Sequence, residues 1–109
     1  WDVYASAMVT APTGDPQYFF TSCALDSSVS NNGHYHSDKL EELAAEIEKE
    51  FDTEKRSELG IQMQQTVLDD HAYVFCSHLK MSMIMQSNVT GLVAHPCDYY
   101  ELTADLDIN

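Results

Sequence analysis

Between Ser37 and Phe75 the apolar positions change their period, and that change predicts most of the architecture. Leu40, Leu43, Ala44, Ile47 and Phe51 recur at helical spacing, with glutamates and Lys49 on the opposite side, which predicts an amphipathic helix over Ser37–Phe51. Ser37 is suited to the N-cap, and Asp38, Glu41 and Glu42 put negative charge where the unpaired N–H groups and the dipole favour it. After Asp52-Thr53, either of which can cap, Leu59, Met63, Val67 and Leu68 form the inner stripe of a second helix over Glu54–Asp69. Gly60 costs about 1 kcal/mol relative to alanine inside such a helix, which predicts close packing against a neighbour there.

At Ala72 the period becomes two, and β-branched and aromatic residues take over. Tyr73–His78 is expected to be a buried strand with a strand over Val3–Val9 beside it, and a further strand is expected over Met81–Gln86. Cys76, inside the most apolar run, is expected to be a buried thiol, and Cys23 and Cys97 more accessible. Thr10–Pro16 is turn chemistry, with Asp15 placed to cap a short helix starting at Pro16. Asn88-Val89-Thr90-Gly91 reads as a turn, and Leu92–Asn109, with its His95-Pro96 and Tyr99-Tyr100, as an irregular acidic tail. The fold class expected is α+β, with two consecutive helices packed on a small mixed sheet.

Charge narrows the partners. Eighteen acidic residues against five basic ones give a net charge of −13, which disfavours nucleic acid and anionic membranes through repulsion by phosphates. Three widely spaced cysteines in 109 residues form neither a disulfide framework nor a CxxC metal site. The chain starts at Trp1, already inside an alternating pattern, and reads as a piece of a longer protein whose export signal would precede it. No phosphate loop, dinucleotide fingerprint, Gly-x-Ser-x-Gly or HExxH is present, and no catalytic role is expected. The best candidate for chemistry is His34-x-His36, in the loop before the first long helix. Two imidazoles at i and i+2 of an extended segment can share nickel, copper or zinc. The alternating Met81, Met83 and Met85 fit sheet core better than a soft-metal site.

Several segments, in this order, resemble the C-terminal region of the family 5 extracellular solute-binding proteins, which serve ABC importers of oligopeptides, dipeptides and nickel. They are Gly14-Asp15-Pro16 followed by aromatics, Asn32-Gly33-x-Tyr35, Phe51-Asp52-x-Glu54-Lys55-Arg56, Leu68-Asp69-Asp70-x-Ala72-Tyr73-Val74-Phe75, Asn88-Val89-Thr90-Gly91 and His95-Pro96-x-Asp98-Tyr99-Tyr100. The resemblance implies a fragment of the C-terminal lobe of a periplasmic-binding-protein-like (type II) fold. Residues 1–79 would belong to the second lobe, and 80–109 would return toward the first. Such a protein works outside the cytoplasm, periplasmic or as a cell-surface lipoprotein, and hands a small ligand to a membrane permease. An isolated fragment would expose apolar surface and invite dimerisation.

Peptide-binding members carry Trp-x-Ala-Asp before the Asp-Pro turn, the carboxylate holding the peptide's ammonium group. The matching positions here are Val9-Thr10-Ala11-Pro12. That departure moves the expected ligand from a peptide to nickel or a nickel chelate, carried as cargo rather than as a cofactor. Nickel-binding relatives draw histidine from the loop before the first long helix, where His34 and His36 stand. Tyr35, in a segment that carries the resemblance, and Thr13, immediately before Gly14-Asp15-Pro16, stand as candidate ligand-binding residues. The alternatives are an oligopeptide- or dipeptide-binding protein of the same family, or a non-catalytic acidic interaction domain.

Overall fold

A computed structural model of the chain describes residues 2–80, 82–94 and 102–108. It is a small α+β structure with three helical segments and one two-stranded sheet. Met81, the pair His95-Pro96, Cys97 and the pair Tyr99-Tyr100 lie outside the described residues. The chain divides into two compact units, residues 1–75 and 76–109.

The first unit is helical. A turn closes with Gly14 N–H donating to Ala11 O at 3.0 Å, and Gly14 takes φ +79° there. Asp15 Oδ1 then accepts from Gln17 N–H at 2.8 Å, so the aspartate does act as a cap. The segment it opens differs from the expected short α-helix. Phe20–Ala24 is a π-helical segment, with Leu25 N–H reaching back five residues to Phe20 O at 3.1 Å. The widened turn directs Phe20, Cys23 and Ala24 into the core.

Helix α1, Asp38–Ile47, buries Leu40, Leu43, Ala44 and Ile47 as the stripe predicts. Ser37 sits at the N-cap position with extended backbone, and its carbonyl takes Glu41 N–H, but its hydroxyl makes no capping bond. The helix ends four residues short of Phe51, which is 92% exposed rather than core. The reason lies at its C-terminus. Arg56 Nη1 donates to the carbonyls of Ile47 and Glu50, and Glu50 Oε1 accepts from the N–H groups of Phe51 and Asp52, so these groups satisfy the helix end and turn the chain.

Helix α2, Thr53–Asp69, is capped by Asp52, whose Oδ1 accepts from Glu54 N–H and Lys55 N–H, both at 3.0 Å. It buries Leu59, Gly60, Met63, Thr66 and Val67, whereas Leu68, placed on the inner stripe by pattern, is 49% exposed. Gly60 packs as expected: a Cβ there would lie 2.9 Å from Pro16 Cβ and 3.2 Å from Pro16 Cγ. The helix closes with His71 N–H on Leu68 O and Ala72 N–H on Val67 O, and His71 takes the left-handed conformation at φ 54°. Helices α1 and α2 pack on each other and on Phe20, Ala24 and Leu25, with Phe19, Tyr35, Ala72 and Tyr73 at the margin of that core.

Among the described residues the expected strands are not formed. Residues 3–9, 73–78 and 82–86 are neither helix nor strand. A period-two pattern yields a strand only where a second segment pairs along it, and no ladder forms along these. Tyr73 and Phe75 instead pack edge-on against Phe19, with ring centroids 5.7 Å away in each case, and Tyr73 Oη donates to Cys23 O at 2.6 Å. The expectation for Cys23 and Cys76 is therefore reversed. Cys76 comes directly after the last of these rings and is exposed, whereas Cys23, on the π-helical segment, is buried with its thiol directed at Met8 Sδ, 2.9 Å away.

In the second unit Val89–Thr90 (β1) and Asp107–Ile108 (β2) pair antiparallel, Val89 opposite Ile108 and Thr90 opposite Asp107. The turn expected at 88–91 thus closes two positions earlier, with Val89 N–H on Gln86 O, and the tail contributes a strand. The sheet is antiparallel, not mixed, and the first unit's described residues contain no strand for its helices to cover. Gly91, at φ +79°, admits no side chain, since a Cβ would fall 1.8 Å from Asp105 O. No helix among the described residues is long and apolar enough to cross a membrane.

Candidate functional site

The loop that carries His34, Tyr35 and His36 is fastened from within. Ser28 Oγ donates into the carbonyls of Phe20 and Thr21 and accepts from Leu25 N–H. The Asn31 side chain brackets Tyr35, accepting its N–H at 3.0 Å and donating to its C=O at 2.8 Å, as a paired strand would. Asn31 Nδ2 also reaches Leu25 O at 3.2 Å, which joins the two ends of the loop.

These bonds fix which way the three side chains point. Tyr35 turns inward: its ring meets Tyr73 edge-on at 6.4 Å and its hydroxyl donates to Asp70 Oδ2 at 2.6 Å. Burial, then the Asp70 carboxylate, push its phenol pKa above the ordinary value. His34 and His36 on either side are exposed. His34 occupies the left-handed region at φ 52°, although glycine stands next to it at Gly33. That conformation costs a non-glycine residue about 1–2 kcal/mol.

His36 is held by two carboxylates. Its Nδ1 lies 2.8 and 3.0 Å from the Asp26 oxygens, and its Nε2 lies 3.3 Å from Asp38 Oδ1. The hydrogen bond and charge of Asp26 raise the imidazole pKa, with Asp38 adding to the effect. Asp26 is itself tethered, its N–H donating to Glu41 Oε1 on α1 at 2.8 Å. Among the described residues, no group of three or more His, Cys, Asp or Glu side chains is arranged to hold a metal ion.

Thr13 lies elsewhere, on an open depression of about 300 Å³ with Asp15, Gln17, Tyr18 and Thr21. A second depression, about 460 Å³, is lined by Glu42, Ala45, Glu46, Lys49 and Glu50 on the solvent face of α1. Neither is lined by His34, Tyr35 or His36. Sequence reading missed Asp26 and Asn31, and named Asp70 only within a segment of the resemblance, not as the partner of Tyr35. Asp26 lies ten positions before His36 in a turn-forming run, and nothing in its spacing marks it as that histidine's partner.

The chain matches no protein-family model, no curated protein and no solved structure.

Proposed function

We propose that the chain is part of a solute-binding protein of an ABC importer that captures nickel, or a nickel chelate, outside the cytoplasm and delivers it to a membrane permease. One observation carries the reading: His34 and His36 present exposed imidazoles on either side of an anchored Tyr35, in a loop fixed to the helical core. Imidazole is a good ligand for nickel. The left-handed backbone at His34 adds support, because a strained residue persists where its side chain has a use and the surrounding structure holds it.

Four of the six segments that carry the sequence resemblance meet in pairs within the first unit. Gly14-Asp15-Pro16 meets the second-helix segment through Asp15 and Arg56, 2.7 Å apart, and Asn32-Gly33-x-Tyr35 meets Asp69-Asp70 through the tyrosine hydroxyl. A shared scaffold accounts for motifs so far apart in sequence. The function is binding and release without chemistry. Calorimetric titration with nickel(II), nickel(II) plus L-histidine, and a peptide mixture tests it. Heat with either nickel sample and none with peptides is the expected result, and heat with peptides alone would overturn it.

A further inference from the structure

We propose that Asp26 is a positioning residue that holds His36 as its Nδ1–H tautomer, so that Nε2 is the atom the ring offers to a transition-metal ion. This rests on the reading of His36 as a ligand-binding residue. An ionised carboxylate only accepts, so the nitrogen lying 2.8 and 3.0 Å from the two Asp26 oxygens carries the proton. A neutral imidazole has a single N–H, and the lone pair is then on Nε2. In water the histidine side chain favours the opposite tautomer, so the carboxylate reverses an intrinsic preference.

Asp38 does not compete on equal terms. Its contact with Nε2 is longer, at 3.3 Å, and its side chain is 95% exposed and can rotate away. Asp26 is placed by the scaffold: Glu41 holds its N–H, and Ser28 and Asn31, which follow it, tie back to Phe20 and Leu25, which precede it. Histidines that bind metals through one nitrogen characteristically donate the other N–H to a carboxylate or carbonyl. That partner fixes the tautomer and raises the basicity of the ligating nitrogen. Asp26 and His36 have this arrangement.

Long-range proton–nitrogen NMR spectra of the metal-free protein at about pH 9, where neutral imidazole dominates, read the tautomer directly. The wild type is expected to show a protonated Nδ1 and a bare Nε2 at His36. Asp26→Ala should move His36 toward the Nε2–H form and weaken nickel(II) binding about 10- to 100-fold. Asp26→Asn, whose amide oxygen still accepts from Nδ1–H, should restore most of both, and Asp38→Ala should leave the tautomer unchanged. A wild type in the Nε2–H form, or an Asp26→Ala protein with unchanged tautomer or unchanged nickel affinity, would overturn the proposal. If the tautomer behaves as stated but the wild type binds no nickel(II), the nickel reading falls and the role of Asp26 toward His36 stands.

Discussion

Arg56 Nη2 lies 2.7 Å from Asp15 Oδ2 across 41 positions of sequence, while its Nη1 holds the carbonyls that end α1. One planar cation thus joins the first turn, the end of α1 and the start of α2, a geometry that lysine's point charge does not reproduce. Arg56→Ala is expected to lower stability by about 2 kcal/mol, the scale of hydrogen bonds to a charged group, with Arg56→Lys recovering only part. Urea unfolding checks this, and equal stability of the three proteins would contradict it.

Gly60→Ala sets two effects against each other. Helix propensity favours alanine by about 1 kcal/mol, whereas the new methyl would meet Pro16 Cβ at 2.9 Å. The neighbour is a ring next to the backbone, not the end of a flexible side chain, so overpacking of about 1–3 kcal/mol is expected to win. The thermal midpoint should therefore fall, and a rise would show that Pro16 yields without cost.

His71 holds a left-handed position at the end of α2, where glycine is the usual residue. Its Nδ1 contact with Asp69 O at 2.7 Å offsets part of the strain. His71→Gly is expected to raise stability by about 0.5–1 kcal/mol, measured by the same unfolding assay, and a loss would mean that the side-chain contact outweighs the backbone.

The His36 pKa is raised in the folded state by Asp26 first and Asp38 second, with Glu41 held against the Asp26 backbone. The sign comes from linkage: this contribution is full below the unfolded histidine value of about 6.5 and is lost as pH rises through the higher folded value. Denaturant midpoints measured across that window should fall more in wild type than in His36→Gln. Identical slopes would show that the two carboxylates do not engage the imidazolium.

The helical half of the fold was legible because its information is local. The stripe Leu40, Leu43, Ala44, Ile47, the cap at Asp52 and the need for a neighbour at Gly60 all derive from spacing and residue type. Phe51 continued the same stripe and failed, because Arg56 in the first turn of α2 takes the carbonyls of Ile47 and Glu50 where the helix ends. The segments around Val3 and Tyr73 carried strand patterns, but pairing depends on a partner that pattern does not name. Tyr73 lies at the margin of the helical core and Phe75 packs on Phe19 instead, while Cys23 is buried and Cys76 exposed. In the loop, spacing singled out His34 and His36 on the premise of an extended segment, and His34 at φ 52° is not extended. The carboxylate that orients His36 could not be picked out, since the contact is made by a turn ten residues away.

Nickel capture by the two loop histidines is tested most directly by calorimetric titration of nickel(II), with and without L-histidine, into wild type and the His34→Ala/His36→Ala double variant. Both side chains are exposed and neither belongs to the core, so the variant should fold. Its nickel affinity is expected to be at least tenfold weaker than that of wild type, about 1.4 kcal/mol. Equal affinity in the two proteins, or no nickel binding by the wild type, would contradict the account.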